Sequence, residues 1–294
     1  MSTPRRYWVA AGSGNWGSVL NWDCTSGGHS DSSLPTFDST VYFDGNGLGN
    51  CMVNVPVSIL GLYTLGAYSG TINQNGYDMT VGRASFQGGF FDGTNANIVI
   101  GTSLQIGGCG FTCTDRTLSV GGTLIHAPTG GGYFRDHGGL VSLDSSGANI
   151  LATTDMTLSS LQCNAFNITL SGQVYVSDLI LNSGSLGRSG DSTVHVRRGL
   201  YSRSGYNQWS TDNNMMIVMD GTLAQNIYNQ SGSIIPMLYV NKPTTPQLLC
   251  QGSGPVAIRG DFLLLDGTMN SGGLDIEVGL QNFTEPAMIK FLDL

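Results

Sequence analysis

The feature that most constrains the fold of this chain is an imperfect repeat, in which two short stretches of alternating apolar residues flank a turn at glycine. The repeat is clear in residues 69–82 and 266–279, looser in 183–196, and degenerate in segments such as 117–124. Self-similar strand-and-turn units are typical of chains that wind into stacked coils. The repeat therefore predicts an all-β fold, specifically a single-stranded β-solenoid of the right-handed parallel β-helix type.

The composition leaves little material for helices. Only Glu277 and Glu285 are glutamates, and Lys242 and Lys290 are the only lysines. Both residue types favour helices, whereas the abundant Asp, Asn, Ser, Thr and Gly favour turns. The 43 glycines follow no G-X-Y period, so they indicate tight corners between strands rather than collagen.

Charge and hydropathy narrow the classes of partner. The net charge of −8 and the short basic run Arg197-Arg198 argue against nucleic acid, which requires clustered Lys and Arg. No segment approaches the roughly 20 apolar residues of a membrane helix, so no membrane insertion is expected. The residues before Gly12 lack the apolar core of a secretory leader, which predicts synthesis in a cytoplasm.

The chain divides into two segments of different character. Residues 1–55 hold Trp8, Trp16 and Trp22 among glycines and asparagines, and residues 56–294 carry the repeats. Large aromatic side chains can cover the open end of a strand stack, where unpaired edges would otherwise invite aggregation. We therefore expect an N-terminal aromatic-rich cap, 1–55, on a β-solenoid body, 56–294.

The first segment also resembles a known family. The run from Arg6 to Asp44 reads RYWVAAGSGNW, then NW, SGG, a proline and D-x-x-VYFD. It is similar to the RYWVGG-x-GxW segment that opens many β-solenoid proteins encoded by bacteriophages and many large bacterial surface proteins. It differs at Ala10-Ala11, where the family has glycines. The resemblance implies a β-helix on a virion or cell surface, assembled as a homotrimer, and the expected lack of a leader favours the virion over a bacterial adhesin.

The six cysteines do not predict a disulfide framework. Their density is low and no leader is expected, so free buried thiols are favoured. Cys24 and Cys51 are the candidate pair for a disulfide. Cys109 and Cys113 lack the second ligand pair of a zinc site. We therefore expect neither a metal nor a cofactor.

Two polar and aromatic segments are candidate contact surfaces. The segment 129–139 is expected to be a loop that places Tyr133 and Phe134 beside Arg135, Asp136 and His137. Acid–base chemistry by Asp136 and His137, or a sugar ring against the aromatics, is one interpretation. The favoured one is an Arg135–Asp136 pair on a solvated corner, with the aromatics packing on a neighbouring chain.

The second segment, 201–209, carries Tyr201, Tyr206 and Trp209, residue types enriched at protein interfaces. The apolar C-terminus should be buried against a partner. Together the predicted contact residues are Trp8, Trp16, Trp22, Tyr133, Phe134, Tyr201, Tyr206, Trp209, Phe291, Leu292 and Leu294.

A glycan-cleaving site is the main catalytic alternative. Glycoside hydrolysis needs two carboxyl groups about 5 to 10 Å apart, which stacked coils about 4.8 Å apart could supply. The available acids are Asp155, Asp178, Asp191, Asp212 and Asp220. Nothing in their spacing selects a pair, and their Gly, Ser and Asn neighbours are typical of corners. The isolated His29, His126 and His195 are expected to be structural or solvated.

These observations predict a non-catalytic bacteriophage protein on the virion surface, acting as capsid decoration or cement or as a fibre component. Its partners would be the major capsid protein or tail components. The alternative is a tail spike that recognises or depolymerises a host surface glycan.

Overall fold

The fold is described from a computed structural model covering residues 3–30, 33–206, 215–230, 233–242, 247–266, 268–278 and 289–291, with backbone alone for 204–206 and 289–291. Within these ranges the regular elements are strands, apart from one 3-10 turn, Val19–Asn21. They wind into a β-solenoid of about 11 turns, which confirms the predicted fold class. Two compact units are distinguished, Met1–Val141 and Ser142–Leu294.

The strands of the first unit are β1 Arg5–Trp8, β2 Gly14–Asn15, β3 Trp22–Asp23, β4 Thr40–Phe43, β5 Cys51–Met52, β6 Val57–Thr64, β7 Thr71–Asn73, β8 Met79–Phe86, β9 Phe90–Asp92, β10 Ile98–Ile106, β11 Gly110–Thr112, β12 Thr117–Val120, β13 Thr123–His126 and β14 Tyr133–Arg135. β15, Leu140–Leu143, spans the boundary. Those of the second unit are β16 Asn149–Ala152, β17 Met156–Cys163, β18 Ile168–Gly184, β19 Leu186–Tyr206, β20 Met216–Met219, β21 Gln225–Asn229, β22 Met237–Asn241, β23 Leu248–Gly252, β24 Val256–Ile258, β25 Phe262–Asp266, β26 Met269–Asn270, β27 Ile276–Val278 and β28 Ile289–Phe291.

Parallel register stacks identical positions of successive coils in the first unit. One inward column consists of Val41, Leu62, Ala84, Leu104 and Leu124, all buried, and it advances by 20 to 22 residues per coil. Successive side chains of a strand point to opposite faces of the sheet. In each coil, one set of residues therefore points into the core and is apolar, and the other set points outward. The hydrophobic core therefore consists of columns of apolar side chains stacked from coil to coil, here called ladders. Each coil depends on its neighbours to bury its apolar side chains.

A second parallel sheet, β2-β5-β7-β9-β11-β14, forms another side of these coils. Its inward column is Cys51, Ile72, Phe91, Phe111 and Phe134. The rings of Phe91 and Phe111 stack 4.8 Å apart, and those of Phe111 and Phe134 lie 5.8 Å apart. Stacked aromatic rings fill this wall of the core.

The N-terminal tryptophans close the first coil. Trp8, Trp16 and Trp22 surround Phe43, with Trp8 and Trp22 edge-to-face at 5.1 Å. The indole N–H of Trp22 donates to the carbonyl of Trp16 at 2.7 Å. β3 pairs antiparallel with β1, so a returning chain covers part of the edge of the first parallel strand. This cluster is the predicted aromatic cap; the boundary at residue 55 stays a prediction.

The second unit repeats the ladder principle with less regular coils. Its inward column of Leu161, Leu179, Leu200, Ile227 and Cys250 advances by 18 to 27 residues per coil. β18 and β19 are 17 and 21 residues long and turn corners through register shifts rather than by ending. Variable coil length explains why the repeat is weak in the sequence.

Polar side chains also bond from coil to coil in this unit. The amide of Asn164 donates to Asp144 Oδ1 at 2.5 Å, Asn182 donates to Asn164 Oδ1 at 3.0 Å, and Arg203 donates to Asn182 Oδ1 at 3.1 Å. An amide can donate and accept at once, which suits a ladder of stacked corners.

A buried lysine holds another corner. Lys242 is 1% exposed, and its Nζ donates to the carbonyls of Gly221 and Leu223 and to Gln225 Oε1 at 2.8 to 2.9 Å. Burial lowers the pKa of Lys242, and nearby Asp220 opposes that shift. Three acceptors match the three donors of an ammonium group, so this lysine ties adjacent coils together.

The cysteines are all thiols in this structure. Cys24 is exposed and the other five are buried. Burial raises the pKa of Cys113 and of Cys163 to about 12, so these thiols stay protonated and inert at neutral pH.

Candidate functional site

The three tryptophans do not lie at a free surface. Trp8 and Trp22 are fully buried and Trp16 is nearly so. Their prediction as interface residues is therefore corrected: the indoles are used inside the cap, where each contacts other aromatic rings.

The segment 129–139 is not simply a loop, because Tyr133–Arg135 forms β14 in register with β11. Phe134 stacks on Phe111 within the chain and its side chain is half-buried, so its packing on a neighbouring chain stays a prediction. Tyr133 points outward with the Arg135 guanidinium 5.3 Å from its ring centroid. Tyr133 thus remains a candidate for contact, and Arg135 lies over an aromatic ring.

His126 lies behind Phe134. It is 5% exposed, and the two rings meet edge-to-face at 6.1 Å. Burial lowers the pKa of His126 below its ordinary value of 6.5. The structure therefore confirms a structural position for this histidine.

Lowering the pH through 6.5 should destabilise the first unit through His126. Because burial lowers the pKa of His126, the unfolded chain binds a proton there more readily than the folded chain as the pH falls. The unfolded state then holds more protons than the folded state, so the free energy of unfolding decreases. Urea unfolding at pH 7.5 and 5 should show a smaller loss for His126→Phe than for the wild type. His137→Phe, at an exposed position, should keep the wild-type pH dependence; equal losses in all three proteins would contradict the prediction.

In the second unit, Tyr201 is half-buried on β19 and aligned with Tyr228 on β21. The ring of Tyr201 leans over Gly199, where an added Cβ would lie 2.6 Å from it. The predictions for Trp209, Leu292 and Leu294, and for the side chains of Tyr206 and Phe291, lie outside the described residues.

The acidic residues that were considered for a glycan-cleaving pair have different surroundings in the described part of the second unit. Asp178 is buried and accepts two bonds from the Arg198 guanidinium, one of them from Nε at 2.9 Å. Asp155 and Asp191 are exposed, and Asp212 lies outside the described residues. The carboxylate of Asp178 is thus committed to an ion pair between coils.

His195 and Asp220 form a contact that sequence inspection missed. His195 Nδ1 lies 2.6 Å from Asp220 Oδ2, and Nε2 lies 3.3 Å from Gln173 Oε1. The imidazole stacks on Tyr175 at 4.5 Å, and the Arg197 guanidinium lies over the same tyrosine. A carboxylate that orients an imidazole resembles part of a general-base arrangement. Here the second ring nitrogen faces an amide oxygen rather than a hydroxyl nucleophile, so the geometry favours binding and packing.

A second surface that the sequence did not reveal lies on the first unit. Tyr7, Tyr42 and Tyr63 occupy the same outward position of β1, β4 and β6. Their rings stack with centroids 5.1 and 5.4 Å apart. Each tyrosine is half-buried. A row of phenol groups thus follows the stacking direction at the coil spacing.

A groove opens beside this row. It has a volume of about 650 Å³ and is lined by Thr3, Pro4, Arg5, Arg6, Cys24, Thr40 and Tyr42. Arg6 is held by Ser33, to whose carbonyl its Nε donates at 3.0 Å. Burial raises the pKa of Tyr42, and the nearby charge of Arg5 opposes this. Arg5 therefore stands close to the tyrosine row with its charge available to a ligand.

Two further observations apply to the described ranges only. No helix there has the length and apolar character required to cross a membrane. No group of three or more His, Cys, Asp or Glu side chains is arranged there to hold a metal ion. Comparison with protein-family models, curated proteins and solved structures finds no match to the chain.

Proposed function

We propose that this protein is a non-catalytic structural component of a bacteriophage virion, displayed at the particle surface as capsid decoration or cement or as part of a fibre. The observation that carries the proposal is the use of polar side chains as bonds between coils. Asp178, Asn164 and Lys242 each form a hydrogen bond to a residue of a neighbouring coil. Such bonding suits a stiff scaffold.

The N-terminal segment supports the same proposal. Its tryptophans seal the first coil, and its residues resemble the opening segment of phage-encoded β-solenoids. The resemblance also implies homotrimers attached to the major capsid protein or to tail components. Native mass spectrometry of the purified chain tests the trimer directly.

The copy number per purified particle is the deciding measurement. Quantitative mass spectrometry against the major shell protein should give hundreds of copies in a simple ratio if the protein decorates the capsid. A handful of copies would contradict decoration and favour a tail location. Absence from purified particles would overturn the virion proposal.

A second candidate function is receptor binding by a tail spike that recognises a host glycan. The tyrosine row and its adjoining groove favour it, because phenol rings and hydroxyls contact sugars through both apolar and hydrogen-bonding surfaces.

A further inference from the structure

The outward surface around the tyrosine row carries positive charge in an acidic protein. We define the tyrosine face as Arg5, Tyr7, Thr40, Tyr42, Gly61, Tyr63 and Arg83, which occupy two adjacent outward columns on four consecutive strands. Arg5 and Arg83 lie at opposite ends of one column, and both are exposed. No position of the face is acidic, although the chain as a whole has a net charge of −8.

The polar groups of this face are available to a ligand. Among the described residues, neither guanidinium has an ion-pair partner, and none of the three phenol hydroxyls has a hydrogen-bond partner. Gly61 has no side chain in the arginine column, and the ring of Tyr63 leans into the space that this leaves. A Cβ added at Gly61 would lie 2.9 Å from that ring. The surface is thus a shallow strip with a cation at each end and hydroxyls between.

We propose that the tyrosine face binds an anionic polysaccharide carrying carboxylate groups, laid along the stacking direction of the coils. The proposal rests on the receptor-binding candidate function and names the class of glycan. Guanidinium groups bind carboxylates through two parallel hydrogen bonds, and the phenol hydroxyls donate to and accept from sugar hydroxyls. The groove beside Tyr42 gives one end of the strip the depth to hold a sugar ring.

The spacing of charge favours a carboxylated glycan over a nucleic acid. Three coil steps separate Arg5 from Arg83, which is roughly 14 Å at a strand spacing of about 4.8 Å. A duplex carries one phosphate per approximately 1.7 Å and needs dense positive charge, which this acidic chain lacks. A carboxylated polysaccharide can bring two of its carboxylates to the two separated cations while the hydroxyl groups of the sugars between them face the three phenols.

Binding of defined oligosaccharides by the full-length protein tests the proposal. The probes are a galacturonate hexamer with free carboxylates and the same hexamer as its methyl ester, measured by isothermal titration calorimetry at low and high salt. The acid form should bind at least about tenfold more tightly, and its affinity should fall as salt is raised. Arg5→Gln and Arg83→Gln should each weaken the acid form roughly tenfold, the effect of losing one charge-assisted contact.

Arg116→Gln is the matched control, because Arg116 is an exposed arginine of the same unit outside the tyrosine face. It should bind the acid hexamer like the wild type. Equal affinity for acid and ester, unchanged binding by both face variants, or no binding of either probe would overturn the anionic class. If the ester binds as well as the acid and Tyr42→Leu alone abolishes binding, glycan recognition stands and only the carboxylate inference fails. The particle copy number tests the underlying function independently.

Discussion

Replacing Trp22 with alanine should lower the free energy of unfolding of the first unit by roughly 3–5 kcal/mol, the usual cost of removing a fully buried tryptophan. Trp22 contacts Trp8, Trp16 and Phe43 and donates its indole N–H to a buried carbonyl. The variant leaves a cavity at the end of the stack and an acceptor without its donor. Chemical denaturation monitored by far-UV circular dichroism measures the change.

Leu20→Ala is the control for this prediction. Leu20 precedes the same tryptophan by two residues but is 68% exposed, so its loss should change stability by less than about 0.5 kcal/mol. The loss of stability for Trp22→Phe should lie between the losses for Leu20→Ala and Trp22→Ala, because phenylalanine keeps the ring packing and lacks the N–H donor. A cost below about 1 kcal/mol for Trp22→Ala would mean that the cap contributes little to holding the first coil.

The fold could be predicted because its cause is local. Alternating β-branched residues bounded by Gly, Asn and Asp encode short strands, and few helix formers compete with them. The tryptophan cluster could be predicted as a cap for a similar reason, since large aromatics in a Gly-rich leading segment have few other places to be buried. The three tryptophans were also expected at a protein interface, and this was wrong. The sequence alone does not distinguish an aromatic side chain that is buried in the core from one that is exposed for contact with a partner.

The surface sites could not be predicted because they depend on coil length. Tyr7, Tyr42 and Tyr63 align only once the register of β1, β4 and β6 is known. The same holds for His195 and Asp220, which are 25 residues apart in a unit whose coils vary in length. One local signal was available: the tripeptide Gly-Leu-Tyr occurs at 61–63 and at 199–201, and in both places the tyrosine ring lies over the glycine.

At Phe134 the local sequence predicts a loop, whereas the structure has a short strand. Its neighbours Gly132, Arg135 and Asp136 are typical of an exposed loop. In the structure the three residues of β14 continue a ladder begun by Phe91 and Phe111, and the stacking partners lie more than 20 residues away in sequence. A strand this short gives no periodic signal, so only its long-range partners define it.

Substituting alanine for Gly184 should destabilise the second unit by roughly 2–5 kcal/mol. Gly184 has a φ of +84°, a left-handed conformation that costs an L side chain about 1–2 kcal/mol. A Cβ at this position would also lie 2.0 Å from the carbonyl oxygen of Ala165 on the neighbouring coil. That oxygen belongs to the backbone, so relief requires the two coils to move apart. Thermal and urea unfolding of the full-length variant measure the loss.

Gly190→Ala separates the two causes. Gly190 also has a positive φ, +64°, but an added Cβ there would meet nothing within 4 Å. Its substitution should therefore cost only the conformational part, about 1–2 kcal/mol. The difference between the two variants measures how rigidly neighbouring coils hold their spacing, which is the property a scaffold requires. If both variants lose the same amount of stability, the two coils move apart easily at this corner. The inference that the stacked coils form a stiff scaffold would then be wrong.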